Sequence, residues 1–171
     1  MNTQLTDDQI QQYRQDGCLV YKNFLSEAEV DTLLQDIGVA LEQMGTKKVA
    51  GESVLNSTEP PKDDFYDNVF IQKLNLWKIS DVVKKIFVGP EIGEMVCKLE
   101  GIDGVRVWHD QTLQKRPWAN PTAWHLDNPY WSFHSRNAIS VWVALDDATV
   151  QNGCLYYVPG SHKTFSPFIL W

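Results

Sequence analysis

The hydrophobic pattern changes near residue 100, and this change constrains the fold more than any other feature of the sequence. Before it, apolar residues recur with helical spacing. After it, short apolar runs separated by Pro, Gly, Asn and Asp predict strands at residues 105–113, 122–127, 138–145 and 154–158. Helices followed by strands are typical of an α+β domain. We expect one domain over residues 1–171, with a helical part at 1–101 and a β-rich part at 102–171.

Capping signals locate the first two helices. Thr6 precedes Gln9, and Ser26 precedes Glu29, at the spacing of a capping box. Gly17 is placed to end the first helix, and the second has one apolar face. The other elements predicted before residue 102 are strands at residues 18–21 and 66–77 and helices at residues 80–87 and 90–99.

Residues 46–64 lack periodicity and include Pro60 and Pro61, so they predict a surface loop. A loop of this length is either an active-site lid or a plain connector.

Charge and cysteine content limit the partners of the chain. Twenty-two acidic and 15 basic residues give a net charge of −7, so we expect neither nucleic acid nor a membrane surface as a partner. The amino terminus lacks the features of a signal peptide. Cys18, Cys97 and Cys154 form no CxxC pair, which argues against a disulfide framework and a zinc-thiolate site. A cytoplasmic location is expected.

His125 and Asp127 are the residues that most suggest chemistry. They lie two apart in a predicted strand, so their side chains should face the same side. An imidazole and a carboxylate can supply two ligands of the 2-His-1-carboxylate triad that binds Fe(II). The same pattern also occurs by chance, and a solvent-facing His–Asp pair is the alternative.

The segments around this pair resemble the phytanoyl-CoA dioxygenase family. The resemblance rests on HLDNPYW at 125–131, AISVWVAL at 138–145, DDAT at 146–149, NGCL at 152–155 and VPGSHK at 158–163. The segment LVYKNFLSEAEV at 19–30 is similar to the amino-terminal part of the family. The likeness covers nearly the whole chain apart from residues 46–64.

The resemblance implies a double-stranded β-helix, a jelly-roll or cupin-like core, with the amino-terminal helices packed outside it. It implies an Fe(II)- and 2-oxoglutarate-dependent dioxygenase that uses O₂ to hydroxylate a small organic molecule, with ascorbate as a reductant. His125 and Asp127 would be the metal ligands and catalytic residues. The residues that would bind 2-oxoglutarate are Gln111, Thr112, Trp142 and Lys73. Trp142 could instead be a core aromatic, and Lys73 could be a solvated lysine at a strand edge.

His162 is expected to shape the turn at residues 159–162 rather than to bind metal. In the family, the distal histidine and the basic residue that anchors 2-oxoglutarate follow this turn, so we expect the final strands of the β-helix to be missing from the chain. Exposed sheet edges would then invite self-association. The 171-residue chain should form succinate only at background rate. For His109 and His134 we expect strand packing and loop polarity rather than metal binding.

Two other functions remain open. A truncated or degenerate family member could act as a non-catalytic binding module. A halogenase is disfavoured because Asp127 stands where such enzymes need a small residue. The aromatic residues that could line an apolar substrate pocket, or equally belong to the core, are Trp118, Tyr130, Trp131 and Phe133.

Overall fold

The structure is a computed structural model that describes residues 1–44, 69–135 and 137–164. Its elements are α1 Asp7–Asp16, α2 Glu27–Met44, β1 Ile71–Leu74, a 3₁₀ helix Leu76–Lys78, α3 Asp81–Phe87, α4 Pro90–Glu100, β2 Gln111–Gln114, a 3₁₀ helix Asn128–Tyr130 and α5 Ser161–Thr164. The predicted helices before residue 101 are confirmed. The predicted loop at residues 46–64 lies outside the described residues.

Both capping boxes form as predicted. The Gln9 amide donates to Thr6 Oγ1 at 3.2 Å, and the Thr6 amide donates to Gln9 Oε1 at 2.9 Å. The Glu29 amide donates to Ser26 Oγ at 3.3 Å, and the Ser26 amide donates to Glu29 Oε2 at 2.9 Å. Gly17 ends α1 in the left-handed conformation, with φ of 75°. These contacts are local in sequence, which is why capping signals locate both helices.

The buried core lies among the helices. Its largest cluster consists of Leu33, Ile37, Ala40, Leu76, Val83 and Ile86. Ser80 fastens α3 to this cluster, because its hydroxyl accepts from the Val83 amide at 2.9 Å and donates to the Asp36 carboxylate of α2. Every buried hydrophobic residue of the described chain lies between Leu33 and Leu99. The helical part therefore holds the packed interior.

α1 packs on α4 through polar contacts near the carboxyl ends of both helices. The Tyr13 hydroxyl donates to the Glu100 carboxylate, and Arg14 Nε donates to the Leu99 carbonyl at 3.4 Å. Burial and the neighbouring Glu100 raise the pKa of Tyr13. No residue of α1 is buried, so these contacts, rather than an apolar face, orient the helix.

β1 and β2 form an antiparallel pair in which Lys73 lies opposite Thr112 and Leu74 lies opposite Gln111. Asp110, directly before β2, holds the end of β1. Its two carboxylate oxygens accept from the Leu76 and Trp77 amides at 3.0 and 3.2 Å. Its backbone carbonyl accepts from the Asn75 amide at 2.9 Å. This single residue therefore joins β1, the following 3₁₀ helix and β2.

Most of the predicted strands are absent from the described residues. The segments 18–21, 122–127, 138–145 and 154–158 form no ladder there, and the strand expected at 105–113 is reduced to Gln111–Gln114. A strand needs neighbours that satisfy its backbone groups and cover its apolar face. Most exposed large hydrophobic residues lie between Val105 and Val158, so the described residues do not cover these segments. The mixture of helix and strand agrees with an α+β chain, while the β-helix core stays a prediction.

None of the helices in the described ranges has both the length and the apolar character that crossing a bilayer requires.

Candidate functional site

His125 and Asp127 come together at a turn rather than along a strand. Asp127 has helical dihedral angles, φ −72° and ψ −35°, and precedes the 3₁₀ helix Asn128–Tyr130. The Tyr130 amide donates to the Asp127 carbonyl at 2.9 Å and closes the turn. His125 Nε2 lies 3.3 Å from Asp127 Oδ1. The two side chains therefore meet as predicted, although a turn and not strand alternation brings them together.

The hydrogen bond at His125 Nδ1 determines what the His125–Asp127 pair can bind. His125 Nδ1 lies 2.8 Å from the Ala123 carbonyl, which can only accept, so Nδ1 carries a proton. In the neutral ring, the lone pair of Nε2 then points toward the Asp127 carboxylate. Two acceptors this close repel each other unless a cation, either a proton or a metal ion, lies between them. His125 Nε2 and Asp127 Oδ1 are the atoms that would hold such an ion.

Other side chains surround the pair. Ser140 Oγ donates to Asp127 Oδ2 at 3.4 Å, which leaves Oδ1 on the side of His125. The Tyr130 ring stands edge-on to the His125 ring, with 6.4 Å between centroids. Burial raises the pKa of Tyr157, and the charges of Asp127 and Cys18 raise it further. Ser140 was not predicted from the sequence, because its only signal is a single hydroxyl in an otherwise apolar run.

A third metal ligand is not found in the part of the chain that the structure describes, where no three His, Cys, Asp or Glu side chains are grouped to hold an ion. His162 lies elsewhere, with Nε2 at 3.3 Å from the Arg14 carbonyl of α1. This contact supports its predicted role in a turn. His109 packs on Trp108 with ring centroids 4.2 Å apart, and its Nδ1 has no hydrogen-bond partner among the described residues. Within the described ranges, His125 and Asp127 are therefore the two donor groups that meet, and the predicted third ligand is not among their neighbours.

Three of the predicted 2-oxoglutarate residues lie on the two-stranded sheet. Lys73 and Thr112 are paired across the strands and face the same side. Gln111 faces the other side, where its Oε1 accepts from Gln72 Nε2 at 2.5 Å. Lys73 is only 5% exposed, so the alternative of a solvated strand-edge lysine is wrong. The Thr112 hydroxyl is buried and has no hydrogen-bond partner in the described ranges. A polar ligand bound on this face of the sheet could supply that partner.

The aromatic residues predicted for a substrate pocket divide into three groups. Trp131 and Phe133 stack at 5.3 Å between centroids, and both rings meet Trp108 edge-on. Tyr130 stands beside His125, and Trp118 is fully exposed. Trp142, predicted to contact the cosubstrate, is 44% exposed and therefore is not a buried core aromatic.

Comparisons with known proteins relate nearly the whole chain to one family. Residues 13–167 match the family model described as phytanoyl-CoA dioxygenase. The chain is 27% identical to phytanoyl-CoA dioxygenase domain-containing protein 1 of Danio rerio, covering 93% of this chain and 66% of that protein. It is 27% identical to methylphosphonate hydroxylase of Gimesia maris, with 95% and 59% covered. It is 28% identical to ectoine dioxygenase of Bordetella parapertussis, with 94% and 51% covered. The chain thus spans between about half and two thirds of the length of these relatives, and no solved structure matches it.

Proposed function

Because this chain belongs to the phytanoyl-CoA dioxygenase family, we propose that it serves as an Fe(II)- and 2-oxoglutarate-dependent dioxygenase that hydroxylates a small organic molecule. Membership of this family, with relatives named as a hydroxylase and as dioxygenases, supports an oxygenase. The names of its relatives refer to phytanoyl-CoA, methylphosphonate and ectoine, which are unlike one another. Membership therefore does not select one substrate.

The geometry of His125 and Asp127 is the observation that carries the proposal. The Ala123 carbonyl holds the imidazole in the tautomer that a metal ligand needs, and Ser140 fixes one oxygen of the carboxylate. Such supporting hydrogen bonds are the usual companions of metal-binding histidines and carboxylates. Both side chains are about half exposed, which leaves an approach for further ligands. The donor set of one imidazole and one carboxylate suits Fe(II).

Each residue then has a defined task. His125 Nε2 and Asp127 Oδ1 would hold the metal, which supplies the activation of O₂ and couples decarboxylation of 2-oxoglutarate to hydroxylation. Lys73 would offer a positive charge, and Thr112 a hydroxyl, to a carboxylate of 2-oxoglutarate.

One observation favours a second candidate, a non-catalytic binding module: within the described residues the metal site has two ligands and lacks a third. Two protein ligands hold iron more weakly than three do. The candidates differ in succinate formation from 2-oxoglutarate. An oxygenase with a complete metal site forms succinate from 2-oxoglutarate, whereas a binding module forms none.

Anaerobic titration calorimetry with Fe(II) tests the site itself. We expect wild-type protein to bind one Fe(II) per chain, and Asp127→Ala to reduce the affinity at least ~10-fold while the circular dichroism spectrum stays unchanged. The fold should persist because the Asp127 side chain is half exposed and packs little. Asp103→Ala, the loss of an exposed carboxylate with no metal role, is the matched control. Equal Fe(II) affinity in Asp127→Ala and Asp103→Ala would refute the proposal.

A further inference from the structure

The turn at residues 159–163, which includes the first three residues of α5, caps the carboxyl end of α1. The last four carbonyls of a helix have no partner within it. In α1 the first of them, Tyr13, accepts from the Gly17 amide at 2.7 Å. The other three accept from the distant turn: Asp16 from the Gly160 amide at 2.7 Å, Gln15 from Lys163 Nζ at 2.8 Å, and Arg14 from His162 Nε2 at 3.3 Å. Every terminal carbonyl of α1 therefore has a donor, and His162 and Lys163 lie 148 residues from their acceptors.

Gly17 lies at the contact between the end of α1 and the turn. Its φ of +75° lies in the left-handed region, and a Cβ atom built there would overlap the His162 ring. The imidazole thus occupies the space that a side chain at position 17 would need. The contact between α1 and the turn is specific, because only glycine meets both conditions.

The five residues before this turn, 154–158, which we call the strap, run past the metal loop at residues 123–130. Tyr156 packs edge-on against Trp124, with 6.3 Å between ring centroids. The strap therefore contacts the metal loop at Trp124, directly before His125, and then continues into the turn that joins it to α1.

We propose that docking of the turn onto α1 holds the strap against the metal loop, which makes His162 a positioning residue for the His125–Asp127 pair and not a ligand. The inference rests on the proposed function for the metal, and on the described contacts for the strap. The carbonyls at the end of α1 accept hydrogen bonds from the turn, and the contact of Tyr156 with Trp124 transmits the position of the turn to the loop.

Variants at positions 17 and 162 test the proposal with anaerobic Fe(II) calorimetry. We expect His162→Ala to weaken Fe(II) binding about 3- to 30-fold, the range typical of changes that act on a site through intervening residues. His162→Gln should restore part of the affinity, because its amide can still donate to the Arg14 carbonyl. Gly17→Ala should weaken binding as well. Gly104→Ala is the matched control, because a methyl group there meets nothing within 4 Å and Gly104 has no left-handed φ.

The double variant Gly17→Ala/His162→Ala separates a shared contact from two unrelated defects. If both changes remove one contact, the double variant binds Fe(II) about as well as Gly17→Ala alone. If the loss of Fe(II) affinity in the double variant equals the product of the two single losses, the proposal is wrong. Wild-type affinity in His162→Ala would overturn it too, and a loss as complete as that of His125→Ala would show that His162 is a ligand.

Amide hydrogen exchange of the metal-free protein gives a readout that does not depend on iron. Exchange of the Tyr130 amide, which donates to the Asp127 carbonyl, should be faster in His162→Ala and Gly17→Ala than in wild type and Gly104→Ala. If wild-type protein binds no Fe(II), the proposed function fails, and this exchange decides the role of the strap alone. Unchanged exchange in both variants would overturn the proposal.

Discussion

Asp110→Ala should destabilise the protein more than the loss of any exposed carboxylate. The Asp110 carboxylate accepts hydrogen bonds from the Leu76 and Trp77 amides at 3.0 and 3.2 Å, and the residue is half-buried. Alanine removes both acceptors and leaves two backbone donors at the start of a 3₁₀ helix without partners. That helix contributes Leu76, which is fully buried in the main cluster, so water cannot simply replace the carboxylate without loosening the core.

The expected magnitude follows from the two bonds. A hydrogen bond to a charged group contributes about 1.5–3 kcal/mol net, and partial exposure places each bond at the lower end, so we expect a loss of about 3 kcal/mol. For a chain of this size, this corresponds to a fall in Tm of about 6–12 °C. Asp110→Asn keeps one acceptor oxygen and should lose about half as much, ~1.5 kcal/mol.

Urea denaturation followed by circular dichroism measures these differences. Asp103→Ala makes the same change of charge at an exposed position and should alter the free energy of unfolding by less than about 0.5 kcal/mol. If Asp110→Ala is as stable as Asp103→Ala, the carboxylate does not hold the 3₁₀ helix and the reasoning is wrong.

Two further predictions concern stability. Leu33→Ala should cost about 2–5 kcal/mol, because Leu33 is fully buried, whereas Leu34→Ala one residue away, at 44% exposed, should cost much less; equal losses in urea denaturation would contradict the assignment of the core. Hydrogen bonds from the amino-terminal ammonium, the Ser26 amide and the Ser26 hydroxyl lower the pKa of Glu29 from 4.5 to about 2. A lowered carboxyl pKa stabilises the fold above the unfolded pKa, so this contribution is lost as the pH falls from about 4.5 to about 2. The difference in urea midpoint between wild type and Glu29→Gln should shrink over that range, and a constant difference would contradict the assignment.

The helices could be predicted from the sequence because their signals are local. Thr6 with Gln9, and Ser26 with Glu29, form their capping contacts within three residues, so spacing alone locates them. The strands could not be predicted in the same way. A run such as residues 138–145 has the composition of a strand, but it becomes one only beside a partner strand, which can be distant in sequence.

The same distinction applies to the candidate site, where the contact between two neighbouring side chains could be predicted and a contact between distant residues could not. The meeting of the His125 and Asp127 side chains could be predicted because the residues lie two apart, although a turn rather than a strand brings them together. Ser140 and the Ala123 carbonyl could not, since Ser140 reaches Asp127 from 13 residues away and a backbone carbonyl leaves no mark in the sequence. The sequence leaves Lys73 as either a cosubstrate ligand or a solvated lysine, and only its burial removes the second alternative. Residues 159–163 matched a motif whose contact with α1 no spacing rule could indicate.

X-ray absorption at the iron edge of Fe(II)-loaded protein tests the central claim most directly, because the fine structure reports the imidazole rings bound to the metal. His125 and Asp127 as ligands predict a single bound ring contributed by the described residues. That ring signal should disappear in His125→Ala and persist in His162→Ala, where His162 serves the cap of α1. A ring signal that survives in His125→Ala, or that is lost in His162→Ala, would contradict the account.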